Sequence, residues 1–363
     1  MRKIVLIPLI IIIIGLCLAL AGFAAGGLAG FWYDRHGIHL ANAERGKLIE
    51  VDETYKSYKN IDVKVDYISR ITLKEGDSYS VRGENYERYG GLSARLRGDT
   101  LEIDVKAPKK WFVTMIADEF WNADNTYLEI TYPKGAKLGT VSVDISTSKV
   151  RISGLNSDSL SIYDNFGDVD VSAVNCGDLI IDADSGRVSL TDATVDGDLD
   201  VRDSFGDVEL KGINAKTLSA RLSSGDLKTD DTVSDTLKLS NNFGKVKVNG
   251  ASADSMTVDI ASGDLTAKDV STGGLSVDTN FGKVAFDRLL FTGRGNISAS
   301  SGDVYLGLLM SEDDLSYELK TDAGSVMVDG SKFSGSVKNR SDSASADLYA
   351  DCSFGSIRLD FLN

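Results

Sequence analysis

Side chains able to do chemistry are sparse in this 363-residue sequence, and their placement excludes several reaction classes. Its two histidines, His36 and His39, both precede residue 40. Nothing downstream can therefore build a His-based triad or a His-ligated metal site. The three cysteines, Cys17, Cys176 and Cys352, form no CxxC pair and no even framework, which supports neither a zinc site nor a disulfide scaffold. The most regular titratable set follows a recurring glycine: Asp168, Arg187, Asp207 and Asp226, then Lys245, Asp264, Lys283 and Asp303. A row of carboxylates could hold Ca²⁺, but that ion needs several converging oxygens. Basic residues interrupt the row, and the calcium-binding GGxGxD repeat is absent. The row reads as an exposed, partly self-compensating turn ladder. No catalytic residue, metal or cofactor is assigned. Arg97-Gly98-Asp99, the tripeptide read by integrins, reads as a hairpin turn, as does Glu75-Gly76-Asp77.

Charge narrows the partners. With 39 Lys and Arg against 54 Asp and Glu the formal charge is −15. A phosphate backbone needs a basic face, and a surface that hugs anionic lipid needs the same. The 36 glycines exceed the typical ~7%. The three prolines are Pro8, Pro108 and Pro133, so no proline follows residue 133. Chain rich in Gly and free of Pro fits many tight turns with nearly every backbone N–H donating.

The element that must position these side chains is a repeat. Phe-Gly or Ser-Gly is followed by a charged residue and then by alternating aliphatics, as in Phe205-Gly206-Asp207-Val208-Glu209-Leu210 and Ser224-Gly225-Asp226-Leu227. Glycines 167, 186, 206, 225, 244, 263, 282 and 302 are separated by 19 or 20 residues, the signature of stacked repeats. Aliphatics usually stand four and six residues before the Phe or Ser and alternate with polar residues, which is strand patterning. Two strands and two turns in ~19 residues make one coil of a parallel β-solenoid, with about ten coils over residues 141–363. Phe and Ser copies alternate strictly, and two positions earlier the pattern inverts: Asp164, Asp203, Asn241 and Thr279 precede the Phe copies, whereas Ala183, Leu222, Ile260 and Ala299 precede the Ser copies. Residues two apart on a strand share a face. Each coil is therefore expected to bury one larger apolar group at its corner, and Ser224→Phe to overpack it by about 1–3 kcal/mol.

The N-terminal segment has a different character. Arg2 and Lys3 precede an uncharged stretch from Ile4 to Tyr33, longer than the ~7–15 residues of a secretory h-region. Residues 1–33 are expected to be an uncleaved transmembrane helix with its N-terminus cytoplasmic and the remainder extracytoplasmic. Ala19-Leu20-Ala21 offers the alternative of cleavage after Ala21. Gly22, Gly26 and Gly30 form overlapping GxxxG patterns through which two such helices could pair weakly. Residues 34–59 are polar and read as a juxtamembrane stalk, and residues 60–140 as an antiparallel β cap over the first coil. Trp111, Phe112, Phe120 and Trp121 belong to the densest apolar cluster outside the membrane segment. They read as a plug over the end of the solenoid or as an interaction surface.

The Ser-Gly-Asp-Val/Leu copies, the run from Val326 to Phe333 and the closing Phe354-Gly355-Ser356-Ile357-Arg358-Leu359 resemble the bacterial putative-adhesin β-strand-repeat domains. That family, a domain of unknown function, includes LiaG-like membrane-anchored proteins. The likeness covers residues 60–363, although alternating Phe-Gly with Ser-Gly departs from the family's more uniform Ser-Gly pattern. The resemblance implies a membrane-tethered envelope protein and supplies no catalytic residues. The expected class is an all-β, non-enzymatic module for adhesion or cell-envelope interaction, with a protein or glycan partner. A self-assembling bactofilin-like scaffold and a β-helix enzyme acting on polysaccharide are the alternatives.

Overall fold

A computed structural model describes residues 31–34, 37–40, 47–106 and 126–362. The helix expected over residues 1–33 falls almost wholly outside them, as do Gly22, Gly26 and Gly30. Trp111, Phe112, Phe120 and Trp121 lie outside as well. No helix among the described residues is long and apolar enough to cross a membrane. The described chain is all-β, relieved only by two short 3-10 turns at Glu87–Tyr89 and Glu312–Asp314. Phe31–Asp34 and Gly37–Leu40 pair as an antiparallel hairpin. Every other strand joins one continuous 23-stranded sheet.

One coil shows how the sequence makes this sheet. Along Val188–Phe205 the buried residues are Val188 and Leu190, then Ala193 and Val195, then Leu199 and Val201. Alternation puts one face of an extended chain inside, and each break in its phase is a corner. The first break holds Asp192 at φ 53°, a left-handed conformation that Asp tolerates better than most residues. The second holds Gly197, where a Cβ would lie 2.3 Å from Asp178 Oδ1. The third is the repeated Gly206. Each coil thus has three sides, not the two strands and two turns that the pattern suggests. The additional left-handed corner recurs at Gly154, Ala173, Gly212, Asp231, Gly250 and Asp269.

Coils stack in parallel register, with Val188 beside Val208, Val208 beside Leu227 and Leu227 beside Val246. Inward aliphatics therefore form columns such as Leu199, Leu218, Leu237, Met256 and Leu275, all buried. Each contributes about 1.5–3 kcal/mol when removed from water. The repeated glycine is a requirement of this stacking. At Gly263 φ is +145° and a Cβ would sit 1.8 Å from the carbonyl oxygen of Gly244.

Both ends of the stack depart from chain order. Asn60–Val65 and Arg70–Gly76 pair in parallel with the coil at Lys137–Ser153. Thr100–Val105 and Tyr127–Pro133 then stack in parallel outside them. Much of the region expected to be an antiparallel cap is therefore additional coil. Antiparallel strands finish that end: Ser93–Arg97 on Thr100–Val105, and Tyr79–Tyr86 between Tyr127–Pro133 and Leu48–Tyr55. Leu48–Tyr55, within the expected stalk, is thus a strand of the body. Arg97-Gly98-Asp99 turns the hairpin between Arg97 and Thr100, with Gly98 at φ 61°. Glu75-Gly76-Asp77 does not, because Tyr79–Tyr86 crosses to Tyr127–Pro133 instead of pairing with Arg70–Gly76.

At the other end the chain leaves Val304–Leu308, builds the outermost coil at Leu315–Val328 and covers it with antiparallel Ser331–Asn339. It then returns to insert Ala346–Phe354 and Ile357–Phe361 between that coil and its predecessor. The last coil in sequence is the last but one in space.

Candidate binding surface

Two rows of side chains run along the glycine corner. The first is aromatic and faces water. Phe166, Phe205, Phe243, Phe281 and Phe354 are 61–68% exposed, whereas the expectation placed them inside. The physical reason lies in the three residues before the glycine. Asp203, Asn241 and Thr279 are buried, yet Ser204, Asn242 and Asn280 and the Phe that follows each point outward, so period-two alternation fails at the corner. Asp203 Oδ1 accepts the Phe205 N–H at 3.0 Å, an Asx turn that accompanies the bend in that copy. Asn241 and Thr279 do not make this bond although Phe243 and Phe281 are as exposed, so the bend belongs to the glycine corner itself. In the Ser copies the inward position holds Leu222 or Ile260, both buried. Ser224 therefore lies outside the core, and a Phe there would meet solvent instead of overpacking.

In space the alternation is more regular than in sequence. Thr147 neighbours Phe166, Ser185 neighbours Phe205, and Phe243 lies between Ser224 and Ser262. Phe281 lies between Ser262 and Ser301, and Phe354 between Ser301 and Ala323. The inserted final coil restores a rhythm that Ala323 breaks along the chain. Phenylalanines thus recur at every second coil, about 9–10 Å apart. Isolated exposed apolar residues are ordinary, whereas these five phenyl rings form one exposed apolar row on an acidic protein.

The second row is the charged one. Asp168, Asp207, Asp226, Asp264 and Asp303 each accept the backbone N–H of the residue one coil further on, at 2.8–3.3 Å. Those carboxylates serve as caps for donors that the turn leaves unpaired. No group of acids and cysteines that could hold a metal occurs among the described residues. Lys149 occupies the same register before Asp168 and bridges it at 3.2 Å. Arg187, Lys245 and Lys283 are exposed and make no ion pair among the described residues.

Beneath the aromatic row sit two acids of unusual character. Burial raises the carboxyls of Asp164 and Asp203 to about 7, against the N–H bonds from Phe166 and Phe205 that act to lower them. Both Asp164 oxygens and Asp203 Oδ2 lack further partners. At the same inward position Asn241 donates to the Gly225 carbonyl at 2.8 Å. Cys176 and Cys352 are free and buried. Burial pushes the Cys176 thiol up to about 12, so it is an inert packing group and not a nucleophile.

A cleft of about 530 Å³ lies elsewhere, near the inserted coil, and is lined in part by Arg294, Tyr317, Glu318, Arg340, Asp347 and Tyr349. Its acids are paired with bases: Glu318 with Lys338 at 2.7 Å and Asp347 with Arg340 at 3.7 Å.

Comparison with known proteins places the chain in a family. The family model of Toastrack DUF4097 matches residues 58–233 and again residues 190–359. No curated protein matches the chain. Among solved structures, a putative adhesin from Bacteroides fragilis is 12% identical, covering 86% of this chain and 97% of its own, with a TM-score of 0.30. A putative lipid binding protein from Parabacteroides distasonis is 14% identical, covering 88% and 98%, with a TM-score of 0.31. A putative cell adhesion protein from Clostridium sporogenes is 12% identical, covering 87% and 100%, with a TM-score of 0.19. Scores of this size do not establish a shared fold.

Proposed function

The chain belongs to the Toastrack DUF4097 family, and we propose that it is a non-enzymatic binding module of the cell envelope whose contact surface is the row of exposed phenylalanines. In this reading residues 1–33 anchor it in the membrane with the N-terminus cytoplasmic, and the rod stands outside as an adhesion or envelope-interaction element. The observation that carries the reading is the row itself: five rings at 61–68% exposure in one register, with no role in the core. Two features favour binding over the alternatives. Among the described residues, Ser331–Asn339, Ser93–Arg97 and Tyr79–Tyr86 cover the outermost coils in antiparallel fashion, which opposes end-to-end growth through parallel edges. The cleft acids are held in ion pairs, and function is argued from a site.

The test is recovery of envelope components on the full chain, compared with a Phe205→Ser/Phe243→Ser/Phe281→Ser variant. The reading expects specific retention of a protein or glycan by the wild type and its loss in the variant at unchanged thermal stability. Equal retention by both would place the contact surface elsewhere. Protease shaving of intact cells tests the orientation, with digestion of the rod expected.

A further inference from the structure

The charged row beside the phenylalanines carries information about what covers them. Taken along the rod from Lys149 to Asp303, its signs are plus, minus, plus, minus, minus, plus, minus, plus, minus. A single repeated sign occurs, at Asp207 and Asp226. About the coil that holds Asp226 the row is antisymmetric: each charge a given number of coils above it is opposite to the one the same number below.

We propose that the aromatic row is covered by a second copy of this chain, packed antiparallel about a two-fold axis level with Asp226. The inference rests on the reading of the row as a contact surface and names its occupant. Such an axis, lying in the contact plane across both rods, sets each column against itself with the coil order reversed. Asp207 then meets Lys245 of the other copy, Arg187 meets Asp264, Asp168 meets Lys283 and Lys149 meets Asp303. Each pairing occurs twice by symmetry, against one like pair at Asp226 itself. Arg187, Lys245 and Lys283, which make no ion pair within the described chain, all acquire acidic partners.

The same register brings Phe205 against Phe243 and Phe166 against Phe281, pairs of a kind that stack favourably. The Ser copies fall at the intervening levels and leave room for the rings. A slip of one coil instead sets Lys149 against Lys283, Asp168 against Asp264, Arg187 against Lys245 and Asp207 against Asp226, all of like sign, and faces each Phe with a Ser. A slip of one coil the other way opposes Asp168 with Asp303, Arg187 with Lys283 and Asp207 with Asp264, with only Asp226 against Lys245 of opposite sign, so like charges disfavour both one-coil slips. Two-fold pairing through one self-complementary patch is also the commonest form of association. Because the chain enters each rod at the same end, antiparallel copies carry their anchors at opposite ends. Paired along their length, they would bridge two facing membrane surfaces.

Cysteine cross-linking of the full chain in detergent, with Cys17→Ser as background, tests both occupant and register. Ser224 lies on the axis, so Ser224→Cys alone should form a disulfide-linked dimer on mild oxidation. Ser262→Cys alone should not, but mixed with Ser185→Cys it should. Adding Phe205→Ser/Phe243→Ser should reduce the cross-linked fraction at least tenfold, and Lys245→Asp should do so until Asp207→Lys is introduced with it. A chain that stays monomeric by light scattering at all concentrations, or that cross-links equally through Ser262→Cys alone, overturns the proposal. If that monomer still loses its envelope partner on Phe→Ser substitution, the row remains a contact surface for a different occupant. If neither effect is seen, both readings fall.

Discussion

At the residue scale the corner is governed by three positions with separate tasks. The inward residue two before Phe fills the inside of the corner, the Phe faces water, and the glycine permits the next coil to approach. At Gly263 the left-handed φ of +145° and the 1.8 Å separation that a Cβ would have from the Gly244 oxygen act together. Gly263→Ala should destabilise by more than about 2 kcal/mol, read from denaturant midpoints. Asp203 yields a pH prediction. Burial raises its carboxyl to about 7, above the unfolded value near 4. The folded state therefore holds its proton more tightly, and this stabilisation is complete below about pH 4 and lost as pH rises through about 7. Asp203→Asn should raise stability by about 1–2 kcal/mol at pH 8 and change it little at pH 4, since Asn241 shows that an amide is accommodated there. A melting temperature that responds equally at both pH values would refute the assignment.

At the same scale, the outward phenylalanines depart from simple strand alternation. Period two assigns Phe205 to the face of Asp203, and the chain breaks that phase at the glycine corner in every copy, whether the inward residue is Asp203, Asn241 or Leu222. The cue is chemical, an Asp, Asn or Thr at a position otherwise filled by Ala, Leu or Ile, and it admits both readings until the bend is seen.

At the scale of the element, the coils are legible because stacking imposes a fixed period on glycines that nothing else can replace. The left-handed corner at Gly154, Asp192, Gly212, Asp231, Gly250 and Asp269 keeps the same period and could have been found from it. It was obscured because Asp, Ala and Gly share the site. The cap strands were legible as strands but not in their pairing, since alternation reveals a buried face and is silent about the direction of the neighbour. The terminal strand Ser331–Asn339 is largely exposed and covers the edge of Leu315–Val328. Deleting residues 331–339 and closing the gap with a short Gly-Ser linker should leave the stack folded and expose a parallel edge. Concentration-dependent assembly by light scattering is the expected outcome, and a strictly monodisperse product would show that the strand is not what protects that end.

At the scale of the whole molecule, the inserted final coil was invisible in the order of the chain. Its trace is the broken alternation, Ser301 followed by Ala323 and then Phe354, which only the spatial order repairs. That repair matters for function, because it continues the aromatic row to Phe354 without interruption. A solenoid is stabilised coil by coil, so a row that contributes nothing to the core can be removed without harm to the fold. The most direct measurement is the thermal unfolding of the full chain with all five residues, Phe166, Phe205, Phe243, Phe281 and Phe354, replaced by serine, monitored at a concentration low enough to exclude association. If the row is a contact surface, the variant should unfold cooperatively and within about 0.5 kcal/mol per site of the wild type. Loss of about 3–5 kcal/mol at each site, as for a core phenylalanine, would contradict the account.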